Sequence, residues 1–318
     1  MKQPNWLELP SEVMSMILQK VGAIEIFQNV QYVCSSWRKL CMDPLMWRTI
    51  DMRISGNFPR RNYYLRAACR YGVDLSRGHL IDISIESFAT DSLLLYIARR
   101  SNELKRLWIA DCFCISDMGL IKAASKLPLL EQLEIFLCCF DSRTLGTVGR
   151  CCPLLKSLKL NQQFCTGKGM ECDREALAIA KTMPKLRHLQ IFGNALTDKG
   201  LQAILNGCPD LESLDLRHCF NLKFEGELGN MCAENIKILH LPHDSTDDYE
   251  FNTDIIDWDG DDFEDYSYDL LHDNNDSDNY SYDNVDDDDG DNNEYDPWEE
   301  LIKKPEVVCT ICHPLVLV

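Results

Sequence analysis

The residue types best suited to chemistry lie near the carboxyl end. Cys309, Cys312 and His313 have the Cys-x-x-Cys-His spacing of a covalent haem attachment site. That chemistry needs an oxidising export compartment and a pocket for the porphyrin, and this run stands alone, so the spacing reads as accidental. Aspartates are densest at Asp286-Asp287-Asp288-Asp289, yet no cluster has the glycine and twelfth-position Glu of a helix-flanked calcium loop. Asn279-Tyr280-Ser281 is a glycosylation sequon in form only. Neither a Gly-rich phosphate loop nor a nucleophile elbow occurs. The 16 cysteines could suggest a disulfide framework, but 318 residues far exceed a disulfide-stapled domain. Met1-Lys2-Gln3-Pro4-Asn5 does not open a secretory signal, so reduced, buried thiols in a cytoplasmic or nuclear protein are expected. The expectation is a non-enzyme with no catalytic residue, no metal and no cofactor.

Charge divides the chain. Residues 244–300 hold 25 Asp and Glu and no Lys or Arg, leaving 26 acids against all 32 bases elsewhere. The formal net charge of −19 therefore belongs to one run, and the remainder is mildly basic. The acidic run cannot bury enough apolar surface to offset its ordering entropy, so disorder is expected. Its sign excludes nucleic-acid binding through it. It is either a solvated tail or a device that screens the basic remainder or engages a basic partner. As a flexible coil it would span on the order of 40 Å. No stretch reaches eighteen consecutive apolar residues, which argues against a membrane-spanning helix.

The elements that position everything else come from an internal repeat. Leu/Ile-x-x-Leu/Ile-x-Leu/Ile begins at Leu80, Leu104, Leu130, Leu155, Leu186, Leu211 and Ile236, filled without a miss. The intervals are 24, 26, 25, 31, 25 and 25 residues, the long one reflecting an insertion around 166–172. A short parallel strand cannot hide its apolar side chains alone, so each repeat must stack on its neighbours. Helical returns are expected at 117–126, 141–149, 174–182 and 198–205, several stopped by Pro128, Pro153, Pro184 and Pro209. The ninth position, whose side chain bonds the bending backbone, falls on Cys112, Cys138, Gln163, Asn194 and Cys219. Three cysteines thus have a structural task. The fold class is α/β, a leucine-rich-repeat solenoid of parallel strands and helices, resembling the cysteine-containing type.

Residues 7–48 break the repeat and read as short helices. Val13, Met14, Ile17, Leu18 and Val21 make one stripe, and Ile26, Val30, Val33, Cys34 and Trp37 another. Such a module could simply cap the solenoid. However, Leu9-Pro10, Val33-Cys34-x-x-Trp37-Arg38 and Asp43-Pro44-x-x-Trp47, in that order and spacing, resemble an F-box. F-boxes dock onto the adaptor subunit of SCF ubiquitin ligases, and leucine-rich repeats commonly carry their substrates. The resemblance implies adaptor contacts at Leu9, Pro10, Ile17, Leu18, Val33 and Trp37, each of which could instead hold the module's own core. With the acidic run, the chain resembles plant F-box/leucine-rich-repeat proteins. Expected boundaries are 1–50 F-box, 51–79 helical linker, 80–243 solenoid, 244–300 disordered acidic segment and 301–318 carboxy-terminal tail.

In such a horseshoe, residues between the pattern leucines face the concave side. These are Arg106, Trp108, Glu134, Phe136, Lys159, Asn161, His188, Gln190, Phe192, Asp215 and Arg217. Trp108, Phe136 and Phe192 recur at related positions, giving either an exposed aromatic platform for a protein substrate or rings packed on each other or under the carboxy-terminal segment. The expected role is that of a non-catalytic substrate-recognition subunit, bound to the adaptor and through it to a cullin, contributing proximity. The alternative is a scaffold or inhibitor without a ligase. Neither nucleic acid nor membrane is expected as a partner.

Overall fold

A computed structural model describes residues 9–53, 62–138, 140–161, 171–224, 227–249 and 251. It divides into one compact unit of residues 1–244 and 296–318 and a second of 245–295, of which only 245–249 and 251 are described. Gln163, residues 166–170 of the expected insertion, most of the acidic run, the sequon and the Cys309–His313 run lie outside the described residues.

The amino-terminal module is three short helices, α1 (Ser11–Val21), α2 (Ala23–Gln28) and α3 (Ser35–Cys41), with 3₁₀ turns at Val30–Tyr32 and Pro44–Trp47. Gly22 separates α1 from α2 because its φ of 93° lies where other residues are strained. Asp43 starts the last turn by accepting the Leu45 N–H, with Pro44 behind it at the first position. Met14, Leu18, Ile26, Phe27, Cys41, Met46 and Trp47 are buried. Phe27 stacks on Trp47 at 4.7 Å, and the Trp47 indole donates to the Cys41 carbonyl at 2.8 Å.

The module runs into the solenoid without a break. β1 (Thr49–Met52) pairs in parallel with β2 (Asp82–Glu86), and α4 (Asn62–Leu75) is its return helix. The expected linker at 51–79 is therefore a repeat, with Trp47, Ile50 and Met52 at the pattern positions. α4 packs close at Gly72, where an added Cβ would lie 3.2–3.3 Å from Ile50, Phe27 and Trp47. One hydrophobic core thus joins the helical module to the first repeat.

The sheet continues in sequence order through β3 (Arg106–Ala110), β4 (Gln132–Phe136), β5 (Ser157–Asn161), β6 (His188–Phe192), β7 (Ser213–Asp215) and β8 (Ile238–His240). The returns are α5 (Asp91–Arg100), α6 (Asp117–Ala124), α7 (Ser142–Cys151), α8 (Arg174–Thr182), α9 (Asp198–Gly207) and α10 (Leu228–Asn235). Leu107, Leu133, Leu158, Leu189 and Leu214 are paired in register and buried. After β2, β3, β4, β6 and β7 the chain turns at the eighth repeat position, where Ser87, Asp111, Leu137, Gly193 and His218 take φ values of 53–70°.

Polar ladders lock one repeat to the next. Asp91, at the start of α5, accepts the Ser116 backbone N–H at 2.7 Å and its hydroxyl at 2.6 Å. Asp173 does the same for Thr197 ahead of α9 at 2.7 and 2.9 Å. Asp117 accepts from Asp141 N–H and the Thr144 hydroxyl, and Asp198 from the Lys223 and Phe224 amides. Gly119 and Gly200 leave the room this needs: a Cβ there would collide with the Asp91 and Asp173 carboxylates. The Ser-Asp-x-Gly and Thr-Asp-x-Gly helix starts are thus one reciprocal device. The ninth-position thiols are buried and donate to backbone carbonyls, Cys112 to Ala110 at 3.1 Å, Cys138 to Phe136 at 3.2 Å and Cys219 to Ile191 at 2.9 Å. Burial pushes each of these thiols up to about 12, so they stay protonated and unreactive. All twelve described cysteines are free.

Candidate functional site: the helical face and the concave sheet

Helix α1 buries Met14 and Leu18 and turns its other side outward. Leu9, Val13 and Met16, spaced by four and three residues, are 39%, 41% and 62% exposed, and Val21, at the end of α1, is 43% exposed. Leu45, in the turn after α3, adds a further exposed apolar side chain. Of the residues named from sequence, Leu9 and Pro10 lie at the surface, while Ile17, Val33 and Trp37 are half-buried. Leu18 is 1% exposed and belongs to the module's core, which corrects its expected place among surface contacts. It belongs to the same buried core as Phe27 and Trp47, because the apolar stripe of α1 is wider than its exposed edge. Trp37 packs against that core, and its shielded indole Nε1 has no partner among the described residues. The sequence reading missed Val13, Met16, Val21 and Leu45. Val13 and Val21 stood in the α1 stripe, but helical periodicity alone does not separate the buried edge of a stripe from its exposed edge.

On the concave face, the structure places the aromatic row inside. Trp108 is 6% exposed, Phe136 1% and Phe192 0%, so the expected exposed platform is not there. The Trp108 and Phe136 ring centroids are 5.6 Å apart, and the Arg53 guanidinium lies 5.6 Å over the Trp108 ring. Phe192 packs on the His218 imidazole at 4.6 Å, which in turn stacks on Phe220. Asn161, in register between Phe136 and Phe192, is buried with them. The physical reason is strand spacing: parallel neighbours lie about 4.8 Å apart, so large rings on one face of adjacent strands find each other before they find solvent.

The charged members of the row are likewise paired. Arg106 bridges to Asp82 at 2.7 Å and Lys159 to Glu134 at 3.0 Å, each across one strand pairing. Asp215 holds Arg217 two residues along, with Arg217 Nε and Nη2 donating at 2.7–3.1 Å. Glu134, Asp215 and Arg217 are buried. Burial pushes the Asp82 carboxyl above its ordinary range, against the pull of the Arg106 guanidinium. At the surface of this face lie Arg106, Lys159, His188 and Gln190, joined by Ser84, Gln132 and, unforeseen from sequence, Ile238 and His240. His188, Ser213 and Ile238 are aligned in register, as are Gln190, Asp215 and His240, so on β6–β8 exposed and half-buried side chains flank the buried Asp215. No group of three His, Cys, Asp or Glu side chains placed to hold a metal occurs among the described residues. Nor is any described helix long and apolar enough to cross a membrane.

Comparison with known proteins agrees with this architecture. An F-box-like family model matches residues 6–53, which takes in the helical module and β1, and a leucine-rich-repeat model matches 182–205. F-box protein SKIP19 of Arabidopsis thaliana is 48% identical over 274 residues, covering 82% of this chain and 89% of that protein. The putative F-box/LRR-repeat protein 22 of the same plant is 46% identical, covering 84% and 88%. The putative F-box/LRR-repeat protein 23 is 50% identical over 249 residues, or 77% of this chain, which spans only 55% of that relative's length. With an F-box-like module, a parallel-strand repeat solenoid and these relatives, the chain belongs to the plant F-box/leucine-rich-repeat proteins.

Proposed function

We propose that the protein is the substrate-recognition subunit of an SCF-type E3 ubiquitin ligase, acting in the cytoplasm or nucleus. The observation that carries this reading is the apolar stripe of Leu9, Val13 and Met16, with Val21 and Leu45 also exposed, on a module whose core is otherwise filled. Several large apolar side chains exposed together on a small helical module favour an interaction site over chance exposure. The adaptor, and through it a cullin, would occupy it. The concave surface of β6–β8, with Arg106 and Lys159 on the earlier strands, would hold the target protein. The buried Glu134 carboxylate and the buried Asp215–Arg217 pair would fix the strand geometry, not meet the target directly. No covalent step falls to this chain. Its contribution is proximity: the core shared by α2, α4 and β1 holds the docking module and the solenoid in one orientation, so a captured target is presented at a set position.

The competing reading, a scaffold or inhibitor that binds a protein without a ligase, makes a different expectation for the helical stripe. Tagged full-length protein, captured from plant cells, should bring down the adaptor and a cullin, and Met16→Asp should release both while leaving concave-face partners bound. Capture of such partners with neither adaptor nor cullin, in wild type as in the variant, would favour the scaffold.

A further inference from the structure

Several cations beside the strands of the solenoid are matched by acids. Lys105 and Lys156 meet Glu131, Lys237 meets Glu212, Arg106 meets Asp82 and Lys159 meets Glu134, all at 2.6–3.1 Å. On the helices α7 and α8 the pattern is different. Arg143, Arg150, Arg174 and Lys181 are exposed and form no ion pair among the described residues. Asp141, just ahead of α7, accepts the Arg143 backbone N–H at 2.7 Å and the Ser142 hydroxyl at 3.1 Å. Those bonds, and then the charges of Arg143 and Arg174, hold its carboxyl below the ordinary range. Glu175, in the first turn of α8, forms no ion pair either. Cations therefore outnumber the acids that answer them on this helix pair.

Between α7 and α8 runs an open groove of about 450 Å³, walled by Arg143, Thr147 and Arg150 on one side and Lys181 on the other. Its floor is made of small residues, Gly146 and Ala178. A Cβ added at Gly146 would lie 3.7 Å from the Ala178 Cβ and 3.6 Å from Arg150 Nη1, so the guanidinium is folded toward the floor. Arg150 Nη2 donates to the Thr147 hydroxyl at 2.7 Å, which holds it there, and its other donors have no partner among the described residues. The two helices are set close by Gly149, where an added Cβ would collide with Thr182 and Met183. A cleft lined by one sign of charge focuses its field on whatever enters. Leu177, 54% exposed between Arg174 and Lys181 on α8, adds an apolar contact beside the cations.

We propose that the α7–α8 groove is a protein-binding surface in its own right, which takes an extended segment of a partner protein carrying Asp or Glu every third residue. One acid pairs with Arg143 and the next with Arg150 and Lys181, while the backbone between them lies over Gly146 and Ala178. The spacing follows from the helices. From Arg143 to Arg150, α7 rises about 10.5 Å. An extended chain with three residues per turn and a rise of about 3.1 Å puts side chains i and i+3 on one face about 9.3 Å apart. A helical segment does not fit, because helices packed about 8–10 Å apart leave a furrow too narrow for a third of about 10–12 Å diameter to reach the floor. Exposed Leu177 favours a peptide, with its apolar side chains, over a phosphodiester chain. The groove lies on the helices, apart from both the α1 stripe and the strands, so this surface does not depend on the ligase reading.

Fluorescence anisotropy of the full-length protein with a labelled peptide of repeated Glu-Ser-Ala units tests this. Wild type should bind saturably, and Arg150→Glu/Lys181→Glu should weaken binding at least about tenfold. Lys122→Glu/Lys126→Glu, on and just after α6, changes the net charge equally and should leave binding within about twofold. All four side chains are exposed, so the Tm of both variants should match wild type. An equal loss in the two variants would reduce the effect to the overall field of the solenoid and overturn the proposal. Absence of saturable binding to wild type would do the same, as would tighter binding of a single-stranded oligonucleotide of equal charge through Arg150 and Lys181.

Discussion

Alanine at Gly119 should destabilise this protein, although glycine to alanine inside a helix ordinarily stabilises by about 0.5–1 kcal/mol. The new Cβ would sit 1.9 Å from Asp91 Oδ1 and 2.3 Å from its Cγ, so the carboxylate must leave the start of α6. It then gives up the Ser116 N–H and hydroxyl bonds of 2.7 and 2.6 Å. Hydrogen bonds to a charged group contribute about 1.5–3 kcal/mol each, and the low end applies because this pair is exposed. Two such losses less the helical gain leave a net cost of about 2 kcal/mol, or a Tm lower by about 4–8 °C for a domain of this size. Urea unfolding of wild type, Gly119→Ala, Asp91→Ala and the double variant measures the coupling directly. In the Asp91→Ala background the same alanine should be neutral or stabilising. Should Gly119→Ala be neutral in wild type, or equally costly in both backgrounds, the account of the aspartate ladder fails.

Further expectations follow from the concave face and its charges. Phe192→Ala should lower stability by about 3–5 kcal/mol in urea unfolding, as for a fully buried ring; a change below about 1 kcal/mol would mean the ring is not core. His218 is held below the ordinary imidazole range, chiefly by burial and then by the Arg217 guanidinium. Its unfolded form therefore binds a proton more readily, so its contribution is present above about pH 6.5 and is lost as pH falls. His218→Asn, which tolerates the left-handed backbone there, should flatten the Tm profile between about pH 5 and 7. An unflattened profile in this variant would refute that origin. Lowered carboxyls at Glu131, held by Lys156 and Lys105, and Glu212, held by Lys237, add a second loss of stability in the acid range. Raising salt should shrink that loss, as both are surface pairs.

Most of the solenoid was legible because its chemistry is redundant. Three pattern positions per repeat, stopping prolines and ninth-position Cys or Asn all report the same register, and Leu80, Leu104 and their equivalents lie where counting places them. The first repeat was hidden because Trp47, Ile50 and Met52 fill its pattern with only one Leu/Ile-type side chain, and because Trp47 also ends the F-box motif. The concave row was assigned to the correct face by alternation, but alternation carries no information about depth. Whether Phe136 meets solvent depends on Trp108 and Asn161 one strand away, a contact between residues 25–28 positions apart in sequence. The exposed α1 stripe was half legible for a related reason. Val13 and Leu18 share a helical pattern, and only the placement of Phe27 and Trp47 decides that Leu18 is inside and Val13 outside.

The central claim is that the α1 stripe docks this chain onto an SCF adaptor. Isothermal titration of the full-length protein with purified adaptor tests it most directly. Wild type should bind one adaptor per chain, and Val13→Asp/Met16→Asp should weaken that binding by at least about 30-fold, the range of an interface hot spot. Because both side chains are exposed, the Tm of the variant should match wild type. No heat of binding from wild type, or a variant that binds as tightly, would contradict the account.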